Sequence, residues 1–139
     1  MNRVQVVISA QISDLVLNRV YLQAARDAGV QVIMDAGGTE GELPGVKHVL
    51  VKLDEKGSAL FTEGEEAIRQ PIIAAAEVID TTGASDTSTA AFVVALVEGK
   101  SKEECMRFFA AAASLCVQVK GAIPSMPERK TALDALQSL

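Results

Sequence analysis

Two carboxylates six positions apart, Asp80 and Asp86, flank a glycine turn in Val78-Ile79-Asp80-Thr81-Thr82-Gly83-Ala84-Ser85-Asp86-Thr87. Apolar, β-favouring residues lead into the turn and a long apolar run follows it, which predicts strand, turn and then a helix opening on Gly83-Ala84-Ser85-Asp86. The first N–H groups of such a helix have no partner within it, and the positive end of its dipole points the same way. That end suits a phosphate. With a carboxylate beside the anion seat, the turn could hold a base as well, which is the layout of a phosphoryl-transfer site. Asp86 by itself would also be at home as a first-turn carboxylate, worth about 0.3 to 1 kcal/mol to a helix. A rival reading makes Ser85 a nucleophile. Gly83-Ala84-Ser85-Asp86-Thr87 begins like a G-x-S-x-G elbow, but Thr87 stands where the second glycine belongs, and the sole histidine, His48, opens a predicted strand.

Asp80-Thr81-Thr82-Gly83-Ala84-Ser85-Asp86-Thr87 resembles the D-T-x-G-A-G-D signature of the ribokinase-like (PfkB) sugar kinases. Lys120-Gly121-Ala122-Ile123-Pro124-Ser125-Met126-Pro127 resembles the K-G-A-x-P-S-x-P segment that follows it in that family. Two motifs in the family's order make the match specific, and it runs from about Val30 to the C-terminus. The resemblance implies ATP-dependent phosphorylation of a sugar hydroxyl, with a sugar such as ribose as partner. Asp86 would be the general base, and Gly83, Ala84, Ser85 and Asp86 the anion hole. Lys52-Leu53-Asp54-Glu55-Lys56-Gly57 resembles the family's T-L-G-x-x-G loop, which contacts the nucleotide. Asp80, the carbonyls of Thr82, Cys116, Val119 and Gly121, and Ser125 match a monovalent-cation site. ATP, Mg2+ and K+ are the implied cofactors.

The chain also departs from the family. Ser85 replaces a glycine, and a Cβ at a glycine-only backbone position costs on the order of 1 to 3 kcal/mol or moves the loop, so a damaged anion hole is expected. Asp54 replaces another glycine and brings negative charge to the nucleotide loop. Ser88 stands where an aromatic is usual. The N-x-x-E motif that the family associates with magnesium and phosphate is not found, since neither Asn2 nor Asn18 has Glu three places on. The family's sugar-contacting part, with its Gly-Gly motif and β-sheet lid, is not recognisable either. A second reading follows: a non-catalytic nucleotide-binding or interaction module.

The elements that must position these residues start with Val4 to Ser9, a buried strand. A helix from about Leu15 to Ala28 follows, capped by Ser13 or Asp14 and stopped by Gly29. Val30 to Met34 completes a β-α-β unit with parallel strands. Val49 to Leu53 is the next strand, yet only turn-rich sequence from Ala36 to Lys47 precedes it, with Gly37, Gly38, Gly41, Pro44 and Gly45 leaving no room for a crossover helix. Either these strands are not parallel neighbours or a segment is absent. Ser58 to Thr62 and Ala67 to Ile73 form a hairpin, its second strand marked as an edge by Pro71. The helix from Ala84 to about Glu98 is apolar all round over Ala90 to Val97, which predicts a central, buried element. Ser101 and Glu104 form a capping box for the next helix, with Met106, Phe109, Ala110, Ala113 and Val117 as its buried stripe and Glu103 paired with Arg107. A last helix starts near Ser125 to Glu128 and turns Leu133 and Leu136 inward.

The fold class read from this is α/β: a partial, ribokinase-like, three-layer arrangement of mostly parallel strands and helices with a small β-hairpin and no lid domain. All 139 residues are read as one partial domain. The chain is 49% hydrophobic but only 4% aromatic, which favours helices packed closely on a sheet over an aromatic-lined groove. A net charge of -5 and a pI near 4.9 exclude a nucleic-acid or anionic-membrane surface, since those need clustered Lys and Arg. Cys105 and Cys116 lack metal or redox spacing and read as buried thiols, pointing to the cytoplasm or another reducing soluble compartment. No targeting segment is recognisable. Apolar faces left uncovered by absent elements would favour a homo-oligomer.

Overall fold

The structure, a computed structural model, describes residues 6–9, 15–34 and 46–138. The chain divides into two compact units, Met1–Pro44 and Gly45–Leu139.

The first unit is the expected β-α-β. Strand β1 (Val6–Ser9), helix α1 (Leu15–Asp27) and strand β2 (Gln31–Met34) follow one another, and β1 pairs with β2 in parallel from Val6 opposite Gln31 to Ser9 opposite Met34. Gly29 takes φ +66° to end α1, with the Val30 amide donating to Ala25 O at 2.8 Å and the Gly29 amide to Arg26 O at 3.0 Å. This is the paired-bond stop that a left-handed residue after a helix makes possible. Val4, the proposed caps Ser13 and Asp14, and the glycine-rich residues 35–45 lie outside the described residues.

The second unit carries the chemistry-bearing motifs. Strands β3 (His48–Lys52), β4 (Ser58–Thr62) and β5 (Ile68–Gln70) form an antiparallel meander in the order β3-β4-β5. The anticipated hairpin is therefore present, with its second strand cut to three residues ahead of Pro71, and β3 adds a third strand to it. Mostly parallel strands were expected; among the described residues parallel pairing is confined to β1 and β2, and β2 and β3 belong to separate sheets. Leu50 lies opposite Leu60, and Leu60 opposite Ile68, so these three share one sheet face with Lys52 and Ser58. Leu60 is buried.

Helices α2 (Ala84–Val97), α3 (Lys102–Cys116) and α4 (Arg129–Gln137) complete the unit. Helix α2 packs on α3, which buries the small side chains of Ala110, Ala111 and Ala112. Ala95, Cys105, Phe108 and Ala132 form the core, flanked by Ala91, Phe92, Leu96, Leu115, Leu133 and Leu136. The capping box is formed: Glu104 N donates to Ser101 Oγ at 3.2 Å, and Ser101 N donates to Glu104 Oε2 at 2.8 Å. Arg129 grips Glu98 with two bonds of 2.7 and 2.8 Å, joining the start of α4 to the end of α2. The expected Glu103–Arg107 pair is not among the ion pairs of the described residues; Lys102 instead reaches Glu65 at 2.6 Å.

Two further expectations are not met. Helix α2 is not buried all round, since Val94 and Val97 are 42% and 47% exposed. Val78 and Ile79 form no strand and are exposed; the amides of Ile79 and Asp80 both donate to Val117 O, at 2.8 and 3.1 Å. A β-rich sequence with no adjacent strand among the described residues has no ladder to join.

Candidate functional site

Gly83 sets the geometry of the turn. It takes φ +83° as the residue before α2, and a Cβ there would stand 3.0 Å from Ala122 Cα and 3.2 Å from Ala122 Cβ. Glycine is required twice over, by the left-handed backbone and by the close approach of the second motif. Ala84 N donates to Thr81 O at 3.2 Å and Thr87 N to Gly83 O at 2.9 Å. No side chain caps the helix, so the amides of Ser85 and Asp86 begin it with no capping acceptor. Asp86 is exposed in the same first turn.

Behind the turn, Asp80 joins the two motifs. Its Oδ1 accepts from Thr82 N and its Oδ2 from Gly121 N, both at 2.8 Å. The Gly121 amide, and after it Thr82, hold the Asp80 carboxyl down at about 2. Gly121 adopts φ +91°, which aims its N–H at the carboxylate. Below this, the buried Cys116 thiol donates to Ser125 Oγ at 3.1 Å and lies 3.5 Å from Thr87 Oγ1, while Ser125 Oγ donates to Ala122 O at 2.9 Å. Val119 N bonds Cys116 O at 3.2 Å. Asp80, Thr82, Cys116, Val119, Gly121 and Ser125 thus fall in two segments bonded directly to each other.

The loop after β3 approaches α2 from the sheet side. Leu53 N donates to Gly57 O at 2.8 Å and Gly57 N to Asp54 O at 3.1 Å, around a single 3-10 turn at Asp54–Lys56. Gly57 takes φ +86°, and a Cβ on it would collide with the Gln70 carbonyl and stand 2.9 Å from Pro71 Cα. Asp54 takes φ +49°, the sole positive φ of a non-glycine among the described residues. From the foot of this loop Lys52 crosses to Ser85 and Thr89 on α2. All the residues singled out in Lys52–Gly57 and Gly83–Asp86 therefore belong to two segments in contact.

One expectation about the turn is corrected. Ser85 was expected either to strain a glycine-only backbone or to move the loop; it lies inside α2 without a positive φ, so no left-handed strain falls on it. The strained substitution is Asp54. The contact of Lys52 with Ser85 was not foreseen. Strand alternation places Lys52 on the face of Leu50, but nothing local says which helix lies within reach of that face.

Comparison with known proteins adds lineage to geometry. Residues 22–129 match the family described as pfkB family carbohydrate kinase. The ribokinase of Arabidopsis thaliana is 49% identical over 162 residues, which takes in 87% of this chain and 43% of that protein. The ribokinase of Haemophilus influenzae is 40% identical, over 67% of this chain and 30% of its own. The solved structure of Arabidopsis thaliana ribokinase complexed with ribose and ATP superposes with a TM-score of 0.86 at 46% identity, covering 95% of this chain and 55% of that one. Ribokinase from Thermotoga maritima superposes at 0.79 with 26% identity, over 96% and 57%. The chain spans about half or less of the length of these relatives. An alignment 162 residues long that uses 87% of a 139-residue chain also means that the Arabidopsis protein carries residues within the aligned span that this chain lacks.

Proposed function

This chain belongs to the pfkB family of carbohydrate kinases, and from that premise we propose that it is a ribokinase-like ATP site that transfers the γ-phosphoryl group to a sugar hydroxyl. The observation that carries the reading is the convergence at one turn of uncapped α2 amides, exposed Asp86 and the loop Lys52–Gly57. The solved relative with ribose and ATP supports nucleotide and sugar as ligands.

In this reading the loop at 52–57 receives the nucleotide and directs its phosphates to the start of α2. The amides of Gly83 to Asp86 stabilise charge on the transferring group, because donors fixed in place need no reorganisation as charge develops. Asp86 takes the proton from the sugar hydroxyl, the step a carboxylate beside an anion hole is placed to perform. The Asp80 clamp on Thr82 and Gly121 keeps the turn in shape from behind.

The donors around Asp80 are oxygens of carboxylate, carbonyl and hydroxyl type, a set that fits a hard monovalent cation such as K+. When bound, that ion would add positive charge behind the anion hole; Asp80, the carbonyls of Thr82, Cys116, Val119 and Gly121, and Ser125 would hold it. Mg2+ fits as a companion of the ATP phosphates, since it retains waters and needs few protein ligands.

Titration of the chain with ATP, Mg2+ and K+ in a calorimeter tests the reading, with Asp86→Asn beside it. Binding of ATP together with a sugar-dependent loss of γ-phosphate that Asp86→Asn abolishes would bear it out. A folded chain that takes up no nucleotide would refute it.

Asp54 favours a second reading. An acidic residue held at φ +49° in the nucleotide loop opposes phosphate by charge, as suits a module that binds without turnover. ATP binding with no transfer to any sugar would select this reading. The exposed Val78, Ile79, Val94 and Val97 fit either further sequence of a longer protein or a second copy of this chain.

A further inference from the structure

The end of β3 and the first turn of α2 meet through one side chain. Lys52 Nζ donates to Ser85 Oγ, to Ser85 O at 3.3 Å and to Thr89 Oγ1 at 3.0 Å. The hydroxyls of Ser88 and Thr89 donate to the same Ser85 carbonyl, at 3.0 and 2.9 Å, so this flank of the helix is a patch of oxygens. The ammonium lies on the carbonyl side of Ser85, along the helix from the first amides. A cation in the first turn of a helix stands against the positive end of the dipole. Held there by two hydroxyls and a carbonyl, it draws the Ser85 hydroxyl back along the flank.

Lys52 is also the foot of the nucleotide loop. That loop is closed on itself, with Leu53 N donating to Gly57 O and Gly57 N to Asp54 O, and Gly57 lies close against Gln70 and Pro71, so Lys52 stands at the base of a braced loop. The residue that Lys52 grips, Ser85, is the one whose side chain could obstruct an approaching phosphate.

We propose that Lys52 is a positioning residue for the nucleotide phosphates: it clasps the Ser85 hydroxyl to the flank of α2, keeps it clear of the anion hole and ties the 53–57 loop to that turn. This rests on the reading of the turn as a phosphate seat. Without the clasp, Ser85 swings free over its own amide and its hydroxyl competes for the space a phosphate oxygen would take. The clasp thus offsets the replacement of the family glycine by Ser85.

The test is a double-variant cycle read by ATP–Mg2+ calorimetry and, without nucleotide, by urea unfolding. Lys52→Met in the Ser85 chain should weaken ATP about tenfold, the scale of one charge-assisted hydrogen bond. The same change made in a Ser85→Gly chain should weaken it by less than about threefold, because no hydroxyl is left to restrain. Lys52→Arg, which keeps the charge and the reach, should restore most of the loss. Equal losses from Lys52→Met with and without Ser85 would overturn the clasp. So would a Lys52→Met chain that loses stability while its ATP affinity stays the same, since that is what a merely structural lysine would do. A wild-type chain that binds no ATP refutes the nucleotide reading and the clasp with it; a wild-type chain that binds ATP, with no effect of Lys52→Met, refutes the clasp alone.

Discussion

Asp80 accepts a 2.8 Å hydrogen bond from the amide of Gly121, 41 residues further along the chain. Through this bond and the Gly83–Ala122 approach, the two motifs of the family become one structural object.

The Asp80 clamp predicts an acid-sensitive turn. Its carboxyl is held at about 2, below the ordinary carboxylate value near 3.9. A depressed folded-state pKa contributes stability above the unfolded value, and that contribution is lost as pH falls from about 4 to about 2. Asp80→Asn should therefore lower stability at neutral pH, and the gap between wild type and variant should close across that window. Urea unfolding at pH 7 and pH 3 checks this; a gap that is constant with pH would contradict it.

Gly83→Ala should destabilise by about 1 to 2 kcal/mol for the left-handed backbone, with more from the contact with Ala122. The loss should appear in urea unfolding and, because the first turn of α2 shifts, in weaker ATP binding too. Unchanged values for both would show that the turn tolerates a side chain.

Asp54→Gly should raise both stability and nucleotide affinity. It relieves the positive φ, for a gain of up to about 1 kcal/mol, and removes a negative charge from the nucleotide loop. Thermal unfolding with and without ATP measures the two effects separately. A destabilised variant would mean that the Asp54 side chain earns its place there.

Asp86→Asn is nearly isosteric and sits exposed, so the fold should persist by circular dichroism. Sugar-dependent phosphoryl transfer should fall about 10²- to 10⁴-fold, the usual loss when a general base is removed. Transfer that continues at an undiminished rate would remove Asp86 from its assigned role.

Phe108→Ala opens the core between α2, α3 and α4 and should cost about 3 to 5 kcal/mol. A much smaller loss in chemical unfolding would show that the Ala-rich interface collapses to fill the space.

The motifs were legible in the linear chain because each depends on local chemistry. Asp80 to Asp86 announces a turn into a helix, Ser101 with Glu104 announces a cap, and Gly29 announces a stop; each is realised within a few residues of itself. Family membership was legible for the same reason, since two short motifs in a fixed order suffice. What only the tertiary structure decided involves partners distant in sequence. Val78 and Ile79 have strand chemistry but no adjacent strand among the described residues, and the amides of Ile79 and Asp80 bond to Val117 O instead. Ser85 was expected to be strained because a glycine precedent suggests a special backbone, yet the helix absorbs it and the strain falls on Asp54. Lys52 could be placed on a sheet face from alternation alone, but its reach to Ser85 exists only because the meander lays that face against α2. Hydrogen-bonding preferences are properties of residues, whereas the identity of the acceptor is a property of the packing.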